Sequence, residues 1–117
     1  MEYMKDMGGI VEVRFDESQP EQKVSLVLGD KLEVSLQSNP STGYQWQVAS
    51  LDMDVLDWTD GPSYVPSAPQ RIGSGGICRF GLVARKRGRA TLRLVYRRSW
   101  EEGVPPIKTM VLKVKVR

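Results

Sequence analysis

The chain contains no histidine, and Cys78 is its single cysteine. It therefore cannot assemble a Ser-His-Asp or Cys-His catalytic arrangement, or a zinc site that needs histidine or several thiolates. No disulfide can form within the chain, and the alternating apolar pattern around Cys78 predicts a buried thiol rather than a reactive one. These absences exclude most hydrolytic machinery, and we predict no catalytic residue, no metal site and no cofactor.

The chain also lacks long apolar runs and a strong excess of either charge. No stretch approaches the length of a membrane span, so we predict no membrane contact. The net charge is only +3, although the pI is about 9.2. The carboxylates suggest no acid–base pair, because they occur in polar, turn-rich segments where such groups are usually solvated: Asp52, Asp54, Asp57, Asp60, Glu101 and Glu102.

A length of 117 residues is sufficient for one domain with a single core. Residues 1–9, MEYMKDMGG, mix acidic and apolar side chains, and we predict an N-terminal tail over 1–9 before a domain over 10–117. No secretory signal is recognisable in this segment. The expected location is cytoplasmic if Met1 is the native start, and extracytoplasmic if a signal was trimmed.

Short segments in which apolar and polar residues alternate predict half-buried β-strands. They lie at 11–15, 24–28, 32–36, 44–48, 78–84, 90–96 and 110–116. Gly29-Asp30 predicts a tight turn in a meander of the first strands, and residues 86–89 predict the turn of a hairpin. With no helical periodicity, the chain is predicted to be all-β, an immunoglobulin-like antiparallel β-sandwich of about seven or eight strands. Trp46 is the predicted central core residue.

Residues 39–44, Asn-Pro-Ser-Thr-Gly-Tyr, lie between two predicted strands and form the most distinctive segment. Pro40 fixes its own φ and favours an extended Asn39, Gly43 permits positive φ, and the polar side chains can bond to nearby backbone. A loop stiffened in this way loses little entropy on binding. The same turn chemistry also suits an ordinary connector.

Two other segments interrupt the strand pattern. Residues 61–76, GPSYVPSAPQRIGSGG, are predicted to form a long loop, and Gly73-Ser74-Gly75-Gly76 is no phosphate cradle because no Gly-Lys-Ser/Thr follows. The segment either is plainly flexible or lets its backbone approach a partner closely. Residues 96–100, Tyr-Arg-Arg-Ser-Trp, place Trp100 at the start of a loop. There it either folds onto the core edge or stays exposed as a binding anchor.

In order and spacing, the three segments resemble the motifs of the chagasin family of cysteine-peptidase inhibitors. That family carries an Asn-Pro-Thr-Thr-Gly-Tyr/Phe loop, a Gly-x-Gly-Gly loop and an Arg-Pro-Trp/Phe loop. Ser41 is a mild departure in the first motif, and Ser99 replaces the usual proline of the third, which leaves Arg98 freer. The corresponding positions here are Asn39, Pro40, Ser41, Thr42, Gly43, Tyr44, Gly73, Ser74, Gly75, Gly76, Arg98, Ser99 and Trp100.

The resemblance implies a monomeric, reversible, tight-binding inhibitor whose three loops wedge into the active-site cleft of a papain-like cysteine peptidase. It implies that Thr42 makes a polar contact near the catalytic cysteine. Trp100 and Arg98 are implied to lie on one side of the cleft and Gly73 to Gly76 on the other.

Two other functions have some support in the residues. Nucleic-acid binding would use a basic cluster near Tyr96 and Trp100, although its positions resemble the solvated face of a hairpin: Arg85, Lys86, Arg87, Arg89, Arg93, Arg97 and Arg98. A carbohydrate-binding or adhesion module would use Trp58, Tyr64 and Trp100 as stacking surfaces. Given the resemblance, we expect a peptidase partner and no nucleic acid.

Overall fold

The structure, a computed structural model, describes residues 9–16, 18–66 and 75–117. Its eight strands are β1 (Ile10–Phe15), β2 (Glu21–Leu26), β3 (Lys31–Ser38), β4 (Tyr44–Leu51), β5 (Leu56–Pro66), β6 (Gly76–Ala84), β7 (Gly88–Arg98) and β8 (Lys108–Val116). A 3-10 turn, Pro40–Thr42, lies between β3 and β4. Within these ranges no helix is long and apolar enough to cross a membrane. The predicted tail, apart from Gly9, lies outside the described residues.

The strands form two four-stranded sheets. Sheet A has the order β1-β3-β6-β5, and sheet B has the order β2-β8-β7-β4. Alternate residues of both sheets face inward and form one core, which explains the period-two apolar pattern. Trp46 is 5% exposed, so its predicted core position is confirmed. Its indole N–H donates to the carbonyl of Gln37 at 2.9 Å, which satisfies the polar atom of a buried ring.

The all-β, immunoglobulin-like sandwich is confirmed, but the predicted meander of the first strands is wrong. β1 pairs in parallel with β3, while β2 pairs in parallel with β8 in the other sheet. The buried carboxylate of Asp30 helps to set this arrangement, because it accepts hydrogen bonds from the backbone N–H groups of Gly9 and Val27, at 2.8 and 2.9 Å. The start of β1 is thereby held beside the turn that precedes β3. Strand alternation carries no information about such a long-range contact.

The predicted hairpin over 78–96 is also wrong, because β6 belongs to sheet A and β7 to sheet B. The connection between them crosses from one sheet to the other. It is fastened by the N–H groups of Arg85 and Lys86, which donate to the carbonyl of Val55 at 2.9 and 3.3 Å. A hairpin and a crossover both bury one face of each strand, so the apolar pattern is the same for either.

The loop predicted over 61–76 is partly strand. β5 continues to Pro66 along the edge of sheet A, with irregular register between Trp58 and Asp60 and again between Asp60 and Ser63. An edge strand can accommodate the prolines at 62 and 66, because one side of its backbone needs no ladder partner. Residues 67–74 lie outside the described ranges.

Candidate functional site

Strand pairing brings the three distinctive segments to one end of the sandwich. Tyr44, the first residue of β4, is opposite Arg98, the last residue of β7. Ser38, the last residue of β3, is opposite Gly76, the first residue of β6. The segments around residues 39–44, 75–76 and 98–100 therefore emerge side by side, and we call them the first, second and third loops.

The first loop is held by its own polar side chains. The Asn39 side-chain oxygen accepts hydrogen bonds from the backbone N–H and the hydroxyl of Ser41. The Thr42 hydroxyl donates to the Asn39 carbonyl at 2.7 Å, and the Thr42 N–H donates to the same oxygen at 3.2 Å. These bonds close the 3-10 turn at Pro40–Thr42, in agreement with the predicted stiffness.

Tyr96 anchors this loop to the core. Its hydroxyl accepts a hydrogen bond from the Asn39 N–H at 2.9 Å, and its ring stacks on Tyr44 with 5.4 Å between centroids. The Trp46 ring is tilted against the Tyr96 ring, with 4.8 Å between the two centroids. The sequence predicts Tyr96 as an inward-facing residue of a strand. Its hydrogen bond to the first loop could not be predicted from that position.

Gly43 and Trp100 join the first loop to the third. Gly43 has a φ of +86°, and a Cβ at this position would lie 2.3 Å from Cη2 of Trp100. The indole therefore lies directly on the glycine, at a distance no side chain would permit. Trp100 is nevertheless 66% exposed, so it packs on the loop and leaves most of its surface open. Of the two alternatives for Trp100, the exposed position is the one observed.

Arg98 is a second link between these loops. Its Nε–H donates to the Thr42 carbonyl at 3.1 Å, and its guanidinium lies 4.4 Å from the Tyr44 ring centroid. Glu101 approaches the same guanidinium at 3.6 Å. Arg98 is thus held from three sides even though Ser99 stands at the family's proline position. Glu101 was missed as a site residue because the sequence placed it only in a turn.

The second loop ends against the first. Gly75 has a φ of +80°, and a Cβ there would be 3.2 Å from the Ser38 carbonyl oxygen. A Cβ on Gly76 would be 2.2 Å from the Val65 carbonyl oxygen. Both glycines therefore allow other backbone segments of the chain to approach closely, while the predicted approach to a partner stays a prediction. Gly73 and Ser74 lie outside the described residues.

Several of the residues behind the other hypotheses make structural contacts. Arg85 pairs with Asp57 at 2.9 Å, at the opposite end of β6 from the three loops, so the proposed basic cluster is not one patch. The Asp52 carboxylate accepts a hydrogen bond from the Thr91 N–H at 2.9 Å. Trp58 packs against Phe80 beside the core, with 5.9 Å between ring centroids. Burial raises the pKa of Cys78 to about 11, in agreement with the predicted unreactive thiol.

Comparisons with known proteins agree with this geometry. The model of the chagasin family peptidase inhibitor I42 matches residues 25–114. Amoebiasin-2 of Entamoeba histolytica is 28% identical over 107 residues, which cover 86% of this chain and 82% of the relative. Amoebiasin-1 of the same organism is 31% identical over 96 residues, 80% of this chain and 89% of its own. The crystal structure of a cysteine protease inhibitor from Entamoeba histolytica has a TM-score of 0.78 at 26% identity, covering 93% of this chain and 96% of that one.

The two-sheet sandwich, with its three loop segments side by side at one end, agrees with the similarity to these proteinaceous inhibitors. The chain belongs to the chagasin family of peptidase inhibitors. It is an inhibitor of cysteine peptidases.

Proposed function

We propose that the three loops enter the active-site cleft of a papain-like cysteine peptidase and block it reversibly. The observation that carries this proposal is the exposed Trp100 ring fixed on Gly43, beside the closed turn at Pro40–Thr42. Rigid, exposed aromatic residues are typical anchors of protein interfaces. Because the hydrogen bonds of the first loop exist before binding, little conformational entropy is lost on association.

Each of the three loops has a different role in this proposal. The first loop, Asn39 to Tyr44, lies against the catalytic centre, where the exposed Thr42 hydroxyl oxygen accepts a hydrogen bond from the peptidase while it still donates its own proton to the Asn39 carbonyl. Trp100, with Arg98 beside it and Ser99 between them, packs on one wall of the cleft. The second loop, Gly73, Ser74, Gly75 and Gly76, contributes backbone contacts to the other wall. Together they fit an interface of about 1,600 Å².

The inhibitor offers its target no productive cleavage site. A peptidase cleaves an extended strand that fits its cleft, whereas residues 40–42 form a 3-10 turn closed by Asn39 and Thr42. We also infer that one copy suffices, because all three loops come from one chain. Sedimentation of the free protein and of a papain mixture should give a monomer and a one-to-one complex.

The direct test is a titration of papain activity with the purified protein, beside a serine peptidase. We expect stoichiometric, reversible inhibition of papain alone, with the inhibitor recovered uncleaved. Inhibition that persists after dilution through a covalent adduct, or a cleaved inhibitor, would contradict reversible occlusion. No inhibition of several papain-like enzymes would contradict the proposed target class.

Trp100→Ala tests the anchor. We expect papain inhibition to weaken by roughly 2 kcal/mol or more, which is about 30-fold in the inhibition constant. The melting temperature should hardly change, because the indole is mostly exposed. Met53→Ala removes an exposed apolar side chain outside the three loops and is the matched control. An unchanged inhibition constant in folded Trp100→Ala would remove this residue from the site.

A further inference from the structure

The outward face of sheet B carries a concentration of positive charge that inhibition does not use. Its exposed cations stand on three neighbouring strands, β2, β8 and β7, and we call them the basic face: Lys23, Arg89, Arg93, Lys113 and Lys115. A groove of about 550 Å³ is lined by four of these cations, Lys23, Arg89, Lys113 and Lys115. Glu21 is the one acidic residue at the outward positions of these described strands. The overall charge of +3 therefore understates the charge of this surface.

Strand register places like charges directly opposite one another. Lys23 is the cross-strand partner of Lys113, and Arg89 is the partner of Lys115. Facing like charges destabilise a sheet. The outward face of sheet A is mixed by comparison, with Arg14 and Arg79 as well as Glu12 and Glu33. A face that keeps unfavourable pairs is suited to a ligand whose negative charge relieves them.

Neighbouring acids neutralise this charge only in part. Glu21 approaches Lys113 at 3.1 Å, but both side chains are more than half exposed, so the pair is weak. Within the described ranges, no carboxylate forms an ion pair with Lys23, Arg89, Arg93 or Lys115. These cations are available to an external anion.

The composition of the face indicates the kind of anion. Aromatic rings that could stack on bases are absent from the outward positions of β2, β7 and β8: Tyr96 is buried in the core, and Trp100 lies in the third loop. The outward valines, Val95 and Val111, are half-buried and offer no apolar anchor for a membrane. The cations recur about 5 Å apart across strands and about 7 Å apart along them. That spacing suits a flexible chain with closely spaced pendant anions.

We propose that the basic face binds a linear sulfated polysaccharide. Arg89 is nine positions before Arg98 on β7, which corresponds to about 30 Å along the strand. The core of the face therefore lies well away from the three loops, and the inhibitor can hold polysaccharide and peptidase together. This proposal does not depend on the mode of peptidase inhibition, so either can fail alone.

The test is the affinity of the intact protein for heparin over a range of salt concentrations. Lys23→Ser/Lys115→Ser removes two cations from the face, and Arg14→Ser/Arg79→Ser removes two from the outward face of sheet A. Both variants have the same net charge. We expect the first to weaken heparin binding by about tenfold at low salt and to reduce the slope of log affinity against log salt by about two. The control should change much less.

The melting temperature of Lys23→Ser/Lys115→Ser should be retained or raised, because facing like charges are removed. Equal losses in the two variants would show that net charge alone binds heparin and would overturn the proposal. Undiminished binding to desulfated heparin would overturn it as well. Tighter binding to single-stranded DNA, duplex DNA or anionic vesicles than to heparin would assign the face to a different partner.

Discussion

Gly43 is the residue on which the geometry of the inhibitory end depends most directly. Gly43→Ala introduces strain at a φ of +86° and places a Cβ where the Trp100 ring now lies. We expect a stability loss of about 1–2 kcal/mol from the backbone. We also expect papain inhibition to weaken on the order of tenfold or more, because the indole must move.

Gly103→Ala separates these two effects. Gly103 also has positive φ, at +71°, but no atom lies within 4 Å of a Cβ at that position. This variant should lose similar stability, measured by urea unfolding, and keep its inhibition constant. Equal inhibition by the two variants would show that the contact between Gly43 and Trp100 is unimportant for binding.

The buried thiol of Cys78 should give a pH dependence in the alkaline range. Its pKa is raised from 9.0 to about 11 by burial. The unfolded chain therefore loses this proton before the folded chain does, and stability falls as pH rises from about 9 to 11. Well below pH 9 the thiol is protonated in both the folded and the unfolded chain, so its ionisation does not lower the stability there.

Urea unfolding of the parent and of Cys78→Ala at several pH values checks this expectation. Every other titratable group is the same in the two proteins, so the difference between the two curves isolates the thiol. Parallel curves between pH 9 and 11 would contradict the shifted pKa. A thiol reagent at pH 8 should modify the folded parent far more slowly than the urea-unfolded chain.

At the scale of elements, Arg98 couples the first loop to the third. Arg98→Lys keeps the charge but loses the planar group that both bonds to Thr42 and stacks on Tyr44. We expect inhibition to weaken by about 1 kcal/mol, roughly fivefold, with the fold intact. Arg93→Lys makes the same change on the outward face of β7, where it should leave inhibition unaltered. If the two variants inhibit equally well, Arg98 does not organise the loops.

The positions of most strands were predictable from the sequence, whereas their partners were not. Leu32, Val34 and Leu36 alternate with polar residues because one face of β3 is buried, and this is a local property. Whether β3 pairs with β1 or β2 depends on contacts such as the one between Asp30 and Gly9, which alternation does not encode. The proline-rich stretch of β5 was predicted as loop because its prolines and glycines are untypical of a strand, although an edge strand tolerates them.

The candidate site was predictable through its motifs, and its internal bonding was not. Asn39 and Gly43 were singled out for their turn chemistry, Trp100 for its place at the start of a loop, and all three for their match to the family motifs. The hydrogen bond from Asn39 to Tyr96 joins residues 57 positions apart. The contact of Gly43 with Trp100 likewise requires β4 to pair with β7.

At the scale of the whole molecule, a single core should make unfolding cooperative. Trp46 belongs to sheet B, and its indole bonds to Gln37 on a strand of sheet A. Trp46→Ala should therefore destabilise both sheets together, by roughly 3–5 kcal/mol. Thermal unfolding followed by circular dichroism and by fluorescence should give coincident transitions at a lower temperature. Separate transitions would show that the sheets unfold independently, and an unchanged melting temperature would contradict the core position.

The parallel pairing of β2 with β8 has a consequence for synthesis of the chain. β2 begins at Glu21, yet β8, its one partner among the described strands, begins at Lys108. During translation, β2 leaves the ribosome several seconds before that partner exists, at elongation rates of about 5–20 residues per second. The backbone groups of β2 and the side chain of Leu26, which is buried in the folded core, have no native partners in β8 during that time. The nascent chain therefore cannot complete sheet B until its last strand has emerged, and this interval is when it is most exposed to aggregation and most dependent on chaperones.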